Sequence, residues 1–223
     1  MKSGRCSRAQ RVAVLLLLVP VLTAASGCAR EGEGAVAAAP SPSGPATPEE
    51  LERLVVDEVP SGLPRLPDEA IEPPAGAKRV EDVAGYSDDP ARERAVLEDY
   101  GYRYGWERFW GTGTGEGPQT GVFIDHFEGA EGAVAYAEDL ARNDAEHYGG
   151  LLSEGAPGLP EGCRRLVVDE PGPEAELSGP AAFAWCTRGP FSVSVSAVAD
   201  SLDAANEEVS AVVADQLDRL PAG

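Results

Sequence analysis

Phe191-Ser192-Val193-Ser194-Val195-Ser196-Ala197 decides the fold class of this chain. Apolar residues alternate with serine, and alternation at a period of two predicts a strand with one face buried. Strands of this kind belong to antiparallel sheets with one wet side. Just upstream, residues 181–186 read as a second strand, separated from the first by the turn signal Thr187-Arg188-Gly189-Pro190. Residues 164–168 read as a third.

Further upstream, Tyr102-Arg-Tyr-Gly-Trp-Glu-Arg-Phe-Trp110 is rich in strand-favouring aromatic residues. A Gly/Thr run at residues 111–121 connects it to another strand at 122–127, and the two are expected to pair as a hairpin. Helices frame these strands. Asp89 caps one from Pro90 to Tyr100, which Gly101 terminates. Residues 130–148 form another, with Ala133, Val134, Ala137, Leu140 and Ala141 as its apolar face. Ser201 caps a last helix whose stripe is Ala205, Val209, Val212, Val213, Gln216 and Leu220. Thr47-Pro48-Glu49-Glu50 opens an earlier helix expected to stop before Pro60. Residues 60–85, rich in proline and glycine, read as an irregular segment attached through Val80 and Val83. Strands come in adjacent groups without a helix between each pair. The expectation is therefore an α+β domain, with an antiparallel sheet of about five strands and helices mainly on one face.

The N-terminus carries an address. Lys2, Arg5, Arg8 and Arg11 precede an apolar run at 12–23, and small residues then lead to Cys28. This is the layout of an export signal. At 12–27 the run is shorter than the roughly 20 residues of a spanning helix, and Pro20 interrupts it. Thr23-Ala24-Ala25 also fits ordinary signal-peptide cleavage. The ending Leu22-Thr-Ala-Ala-Ser-Gly-Cys28 resembles the lipobox of bacterial lipoproteins, with Ala25 where leucine is commonest. That resemblance implies cleavage before Cys28 and a diacyl (palmitate-type) anchor at that residue, which is firmer than one chain alone. Cysteine arithmetic agrees. Cys6 lies in the leader, Cys163 and Cys186 can pair in an oxidising compartment, and lipidation accounts for Cys28. A Cys163–Cys186 disulfide would close a loop of about 24 residues and stabilise by roughly 3 kcal/mol on the entropic account. The expected organisation is a lipoprotein signal peptide at 1–27, lipidated Cys28 with a Pro/Ser/Gly/Ala linker to residue 47, and one domain at 48–223.

Charge narrows the function. Removing residues 1–27 takes away four of 18 basic residues and none of 38 acidic ones, leaving a net charge of −24. Nucleic acid is thereby excluded as a partner, because binding it needs Lys and Arg to displace counterions. With only His126 and His147, neither in a His-x-x-x-His spacing, no metal or cofactor is expected. Gly111-Thr-Gly-Thr-Gly-Glu-Gly117 lacks the lysine of a phosphate loop, and no Gly-x-Ser-x-Gly elbow occurs. No catalytic residue is assigned. Asp125 and His126 are chain neighbours on a strand and point to opposite faces. Residues 100–110 hold six of the chain's 14 aromatic residues. Tyr102, Tyr104, Trp106 and Trp110 share one face if no bulge intervenes, as core or as a ligand groove.

The lipobox, the linker, the Gly-Tyr-Arg-Tyr-Gly-Trp-Glu-Arg-Phe-Trp strand, the Val-Phe-Ile-Asp-His-Phe-Glu-Gly-Ala-Glu-Gly-Ala helix entry and the late cysteine pair together resemble uncharacterised actinobacterial secreted lipoproteins. Heavy use of Arg over Lys, 16 to 2, is in keeping with that source. For the fold, the resemblance implies an analogy to PsbP-like sandwiches. The expectation is a non-enzymatic module, extracytoplasmic and tied to the bacterial cell membrane through its N-terminal lipid, that binds a protein, glycan or apolar small molecule. Two alternatives remain: an extracytoplasmic hydrolase using carboxylate and histidine chemistry, and a structural surface protein with no ligand.

Overall fold

The computed structural model describes residues 44–113, 117–173 and 175–222. The leader, Cys28 and the linker up to residue 43 lie outside the described residues. The elements in chain order are α1 (Pro48–Glu52), β1 (Gly76–Lys78), α2 (Val80–Ala84), α3 (Pro90–Asp99), β2 (Tyr102–Gly111), β3 (Gln119–Phe127), α4 (Ala130–Tyr148), β4 (Leu151–Glu154), β5 (Arg164–Val168), β6 (Ala181–Arg188), β7 (Phe191–Val198) and α5 (Leu202–Arg219). A single 3-10 turn spans Asp68–Ala70.

All seven strands join one antiparallel sheet in the order β1-β2-β3-β7-β6-β5-β4. The strand count therefore exceeds the expected five or so. The two additional strands sit at the edges, where three or four residues suffice. β1 hides inside the Pro/Gly-rich segment, and β4 carries the exposed Leu151, so neither shows a clear alternation.

Helices cover both faces of the sheet, which corrects the expectation of mainly one. On the first face, α1 and α5 pack over Trp106, Trp110, Ile124, Ala184, Phe191, Val193 and Val195. The whole expected α5 stripe is buried, from Ala205 through Leu220. On the second face, α2 and α3 meet α4 over Tyr102 and Phe127. Ala137 and Ala141 of α4 lie against Leu166, Phe183 and Trp185. The serine face of β7 is not the wet face that its alternation predicts: Ser192 is fully buried and Ser194 nearly so. A hydroxyl is small enough to lie beneath a helix, so period-two polarity marked which side each residue takes and not which side meets water. Similarly, Val134 points outward at 40% exposure, and Tyr136 takes its place in the core.

α1 begins where expected, with Thr47 Oγ1 accepting from the Glu50 amide, but it ends at Glu52. Past it, buried side chains take up the backbone polar groups that a longer helix would have paired. Gln216 Nε2 donates to the Leu54 carbonyl and Gln216 Oε1 accepts from the Val56 amide, each at 2.9 Å. The Arg108 guanidinium donates to the Val55 and Val56 carbonyls at 3.2 and 2.7 Å. These two side chains hold Val55 and Val56 in the core without a helix. Cys163 and Cys186 form a disulfide, 4.4 Å apart at Cα.

Candidate ligand cavity

Registry between the three central strands builds a trough on the second face. Ser194 of β7 lies opposite Phe123 of β3 and Trp185 of β6, and Ser196 lies opposite Gly121 and Phe183. Short side chains on the middle strand, flanked by large rings on its neighbours, leave a channel along β7. On the β6 side, Tyr148, Phe183 and Trp185 stack in sequence, with interplanar angles of 17° and 9°. The roof is α4. Its residues Tyr136, Leu140, Asp144 and Tyr148 recur every four positions and so form one ridge facing the trough. Ala133, Ala137 and Ala141 let the helix lie close to the sheet on either side of that ridge. The partly open space beneath it is about 210 Å³, and Val83, Tyr86, Glu107 and Asp125 complete its lining.

One end of the trough is polar. Lys78 and Glu107 form a buried ion pair at 3.1 Å, with side-chain exposures of only 4% and 6%. Lys78 also donates to the Pro74 carbonyl and lies 5.5 Å from the Tyr86 ring centre. The Tyr86 hydroxyl donates to both Glu107 carboxylate oxygens, at 2.9 and 3.0 Å. Burial raises the Glu107 carboxyl above its ordinary value, and Lys78 and Tyr86 pull it partly back.

Asp125 stands beside this cluster with no such compensation. It is 6% exposed. Burial pushes its carboxyl up to about 7, and the nearby Glu107 charge adds to the shift. Tyr102, whose hydroxyl makes no hydrogen bond of normal geometry, offsets only part of this. Gly105 permits the arrangement: a Cβ there would sit 2.5 Å from Asp125 Oδ1 and 2.8 Å from the Tyr102 hydroxyl. At the roof, burial also raises Asp144, to about 6.

The four aromatic residues singled out from sequence do not form this site, nor do they stay together. A register shift between Tyr102 and Tyr104 turns Tyr102 to the second face, where it packs edge-on against Phe127. Tyr104 donates from its hydroxyl to the Pro45 carbonyl. Trp106 and Trp110 lie in the core of the first face, 8% and 1% exposed. Asp125 and His126 face opposite sides, as strand geometry requires. The His126 ring stacks on Phe191 at 4.8 Å, away from the cavity, and burial lowers its pKa. Among the described residues, no group of three His, Cys, Asp or Glu side chains is placed to hold a metal ion. No described helix is long and apolar enough to cross a membrane.

Sequence reasoning missed the Lys78–Glu107–Tyr86 cluster, although a signal was present. Glu107 sits near the centre of an aromatic-rich strand on the face shared with Gly105 and Phe109, and Lys78 is the only lysine after the leader. A charged residue at mid-strand needs a partner, and one lysine was available.

Comparison with known proteins is sparse. No family model matches the chain, and no curated protein matches it. Among solved structures, the crystal structure of the extracellular domain of PknH from Mycobacterium tuberculosis is similar, with 14% identity and a TM-score of 0.49 over 78% of this chain and 96% of that one.

Proposed function

We propose that this chain is a lipoprotein anchored through Cys28 on the outer side of the bacterial cell membrane, and that its domain at 48–223 is a non-catalytic binding module. The cavity under α4 carries the binding reading. It is concave, walled mainly by aromatic side chains and supplied with a few polar groups at one end, which is the usual composition of a small-ligand site. The export layout of residues 1–28 supports the address, and the Cys163–Cys186 bond suits an oxidising compartment. A hydrolase reading is favoured by one feature, the buried Asp125 carboxyl lining the cavity, which burial pushes up to about 7. It lacks the histidine partner once considered for it, because His126 lies across the sheet.

Two experiments test the proposal. Metabolic labelling with a clickable fatty acid should mark the native chain and not Cys28→Ala; equal labelling removes the anchor. A ligand-observed NMR fragment screen on the full chain in detergent should yield hits that Ser194→Leu abolishes by filling the trough. Hits indifferent to that substitution would remove the cavity as the binding site.

A further inference from the structure

Resting on the binding-module reading, we infer that the cavity takes a small organic cation, its ammonium group against Asp125 and its apolar body in the ring-walled trough. Three observations lead there. First, Asp125 is nine-tenths buried, lines the cavity and forms no ion pair with any basic side chain among the described residues. Lys78 is already taken by Glu107, the Pro74 carbonyl and the Tyr86 ring. A buried carboxylate without a counter-charge is costly, and an incoming ammonium group would supply one. Second, the hydroxyl of Ser194, itself 8% exposed, is buried at the trough floor without a hydrogen-bond partner. It stands ready to accept from an N–H donor. Third, the remaining walls are mainly aromatic, and ring faces attract organic cations.

The same features reject other ligands. An anion would face Asp125 and Asp144 with no basic side chain in the described lining to receive it. A neutral ligand would bury Asp125 further without compensating it. At about 210 Å³ the space equals the liquid volume of about seven waters, enough for a single ring on a short stem.

The test uses three probes of one size on the full chain in detergent: 2-phenylethylammonium, the neutral 2-phenylethanol and the anionic 3-phenylpropanoate. Calorimetric titration at pH 8 should show one-to-one binding of the ammonium probe, at least tenfold tighter than the alcohol, and no heat from the carboxylate. Asp125→Asn keeps the shape and removes the charge. It should weaken the ammonium probe at least tenfold and leave the alcohol unchanged, with an unaltered near-ultraviolet circular dichroism spectrum. Should that variant fail to fold, Ser194→Leu serves instead and should abolish ammonium binding. Equal affinity for ammonium and alcohol, or ammonium binding that survives Asp125→Asn in a folded variant, or survives Ser194→Leu, overturns the cation inference. Binding of the alcohol alone would overturn it too, while sparing the binding-module reading. Silence from all three probes overturns it as well, and the fragment screen then judges the module reading separately.

Discussion

Asp125→Asn should stabilise the fold, and by an amount that grows with pH. Burial and the Glu107 charge raise the Asp125 carboxyl from 3.8 to about 7. The folded protein therefore holds this proton more tightly than the unfolded chain does. Between those two values the unfolded state binds fewer protons, so stability falls as pH rises. At about 1.36 kcal/mol per pKa unit the full penalty is about 4 kcal/mol, nearly absent at pH 4 and complete above pH 7. The groups around Asp125 set this balance: Glu107 and Tyr102 from β2, Tyr136 from α4, Lys78 from β1 and Tyr86 beyond α2, with Ser192 opposite it in the sheet. Only Lys78 is cationic, and it is engaged by Glu107. A buried asparagine amide costs about 1–3 kcal/mol of its own where its hydrogen bonds go unmade, so the net gain at pH 8 is about 1–3 kcal/mol. Urea unfolding of parent and variant at pH 4.5 and pH 8 measures it. The variant's advantage should increase by about 3 kcal/mol between the two. An advantage that is constant, or that shrinks toward pH 8, would show that Asp125 is ionised at little cost and that the cavity has no unpaired charge.

Lys78→Met strands Glu107 in the interior and should cost about 3–5 kcal/mol at pH 7 by chemical denaturation; the loss should ease at low pH, where Glu107 takes up a proton. Gln216→Leu removes the amide that holds the Leu54 carbonyl and Val56 amide. It should cost about 2–4 kcal/mol in the same assay, with faster hydrogen exchange at Val56. Gly132→Ala should lower the melting temperature by about 5–10 degrees, because a Cβ at Gly132 would overlap the Tyr100 carbonyl oxygen where the start of α4 lies against the end of α3. A neutral effect would mean that α4 shifts freely over the sheet.

Much of the framework was legible. The bounds of α4 and β5 and the α5 stripe match the sequence reading, because those segments bury one face along a regular period, although the α4 face takes in Tyr136 and leaves out Val134. β1 and α2 were hidden in residues 60–85, where proline and glycine masked three- and five-residue elements that tertiary pairing holds in place. The cavity was illegible for a different reason. It arises from cross-strand juxtaposition, with serine between Phe123 and Trp185, and no local pattern records which strands are neighbours. The aromatic run at 100–110 drew attention because it is dense in sequence. Strand alternation and one bulge scatter it across both faces, and the ring-lined wall is built from Phe123, Tyr148, Phe183 and Trp185, which come from three separate elements.

β7 comes last among the strands yet occupies the centre, joining β1-β2-β3 to β6-β5-β4. Until residue 198 has been delivered, the two halves are separate ribbons with open inner edges. Neither can bury the surface that α5 finally covers. Completion of the sheet thus waits on its last strand and depends on pairings distant in sequence, the kind of topology that folds slowly. The export proposed for this chain would be served by such a delay, since the sheet closes only when its last strand arrives.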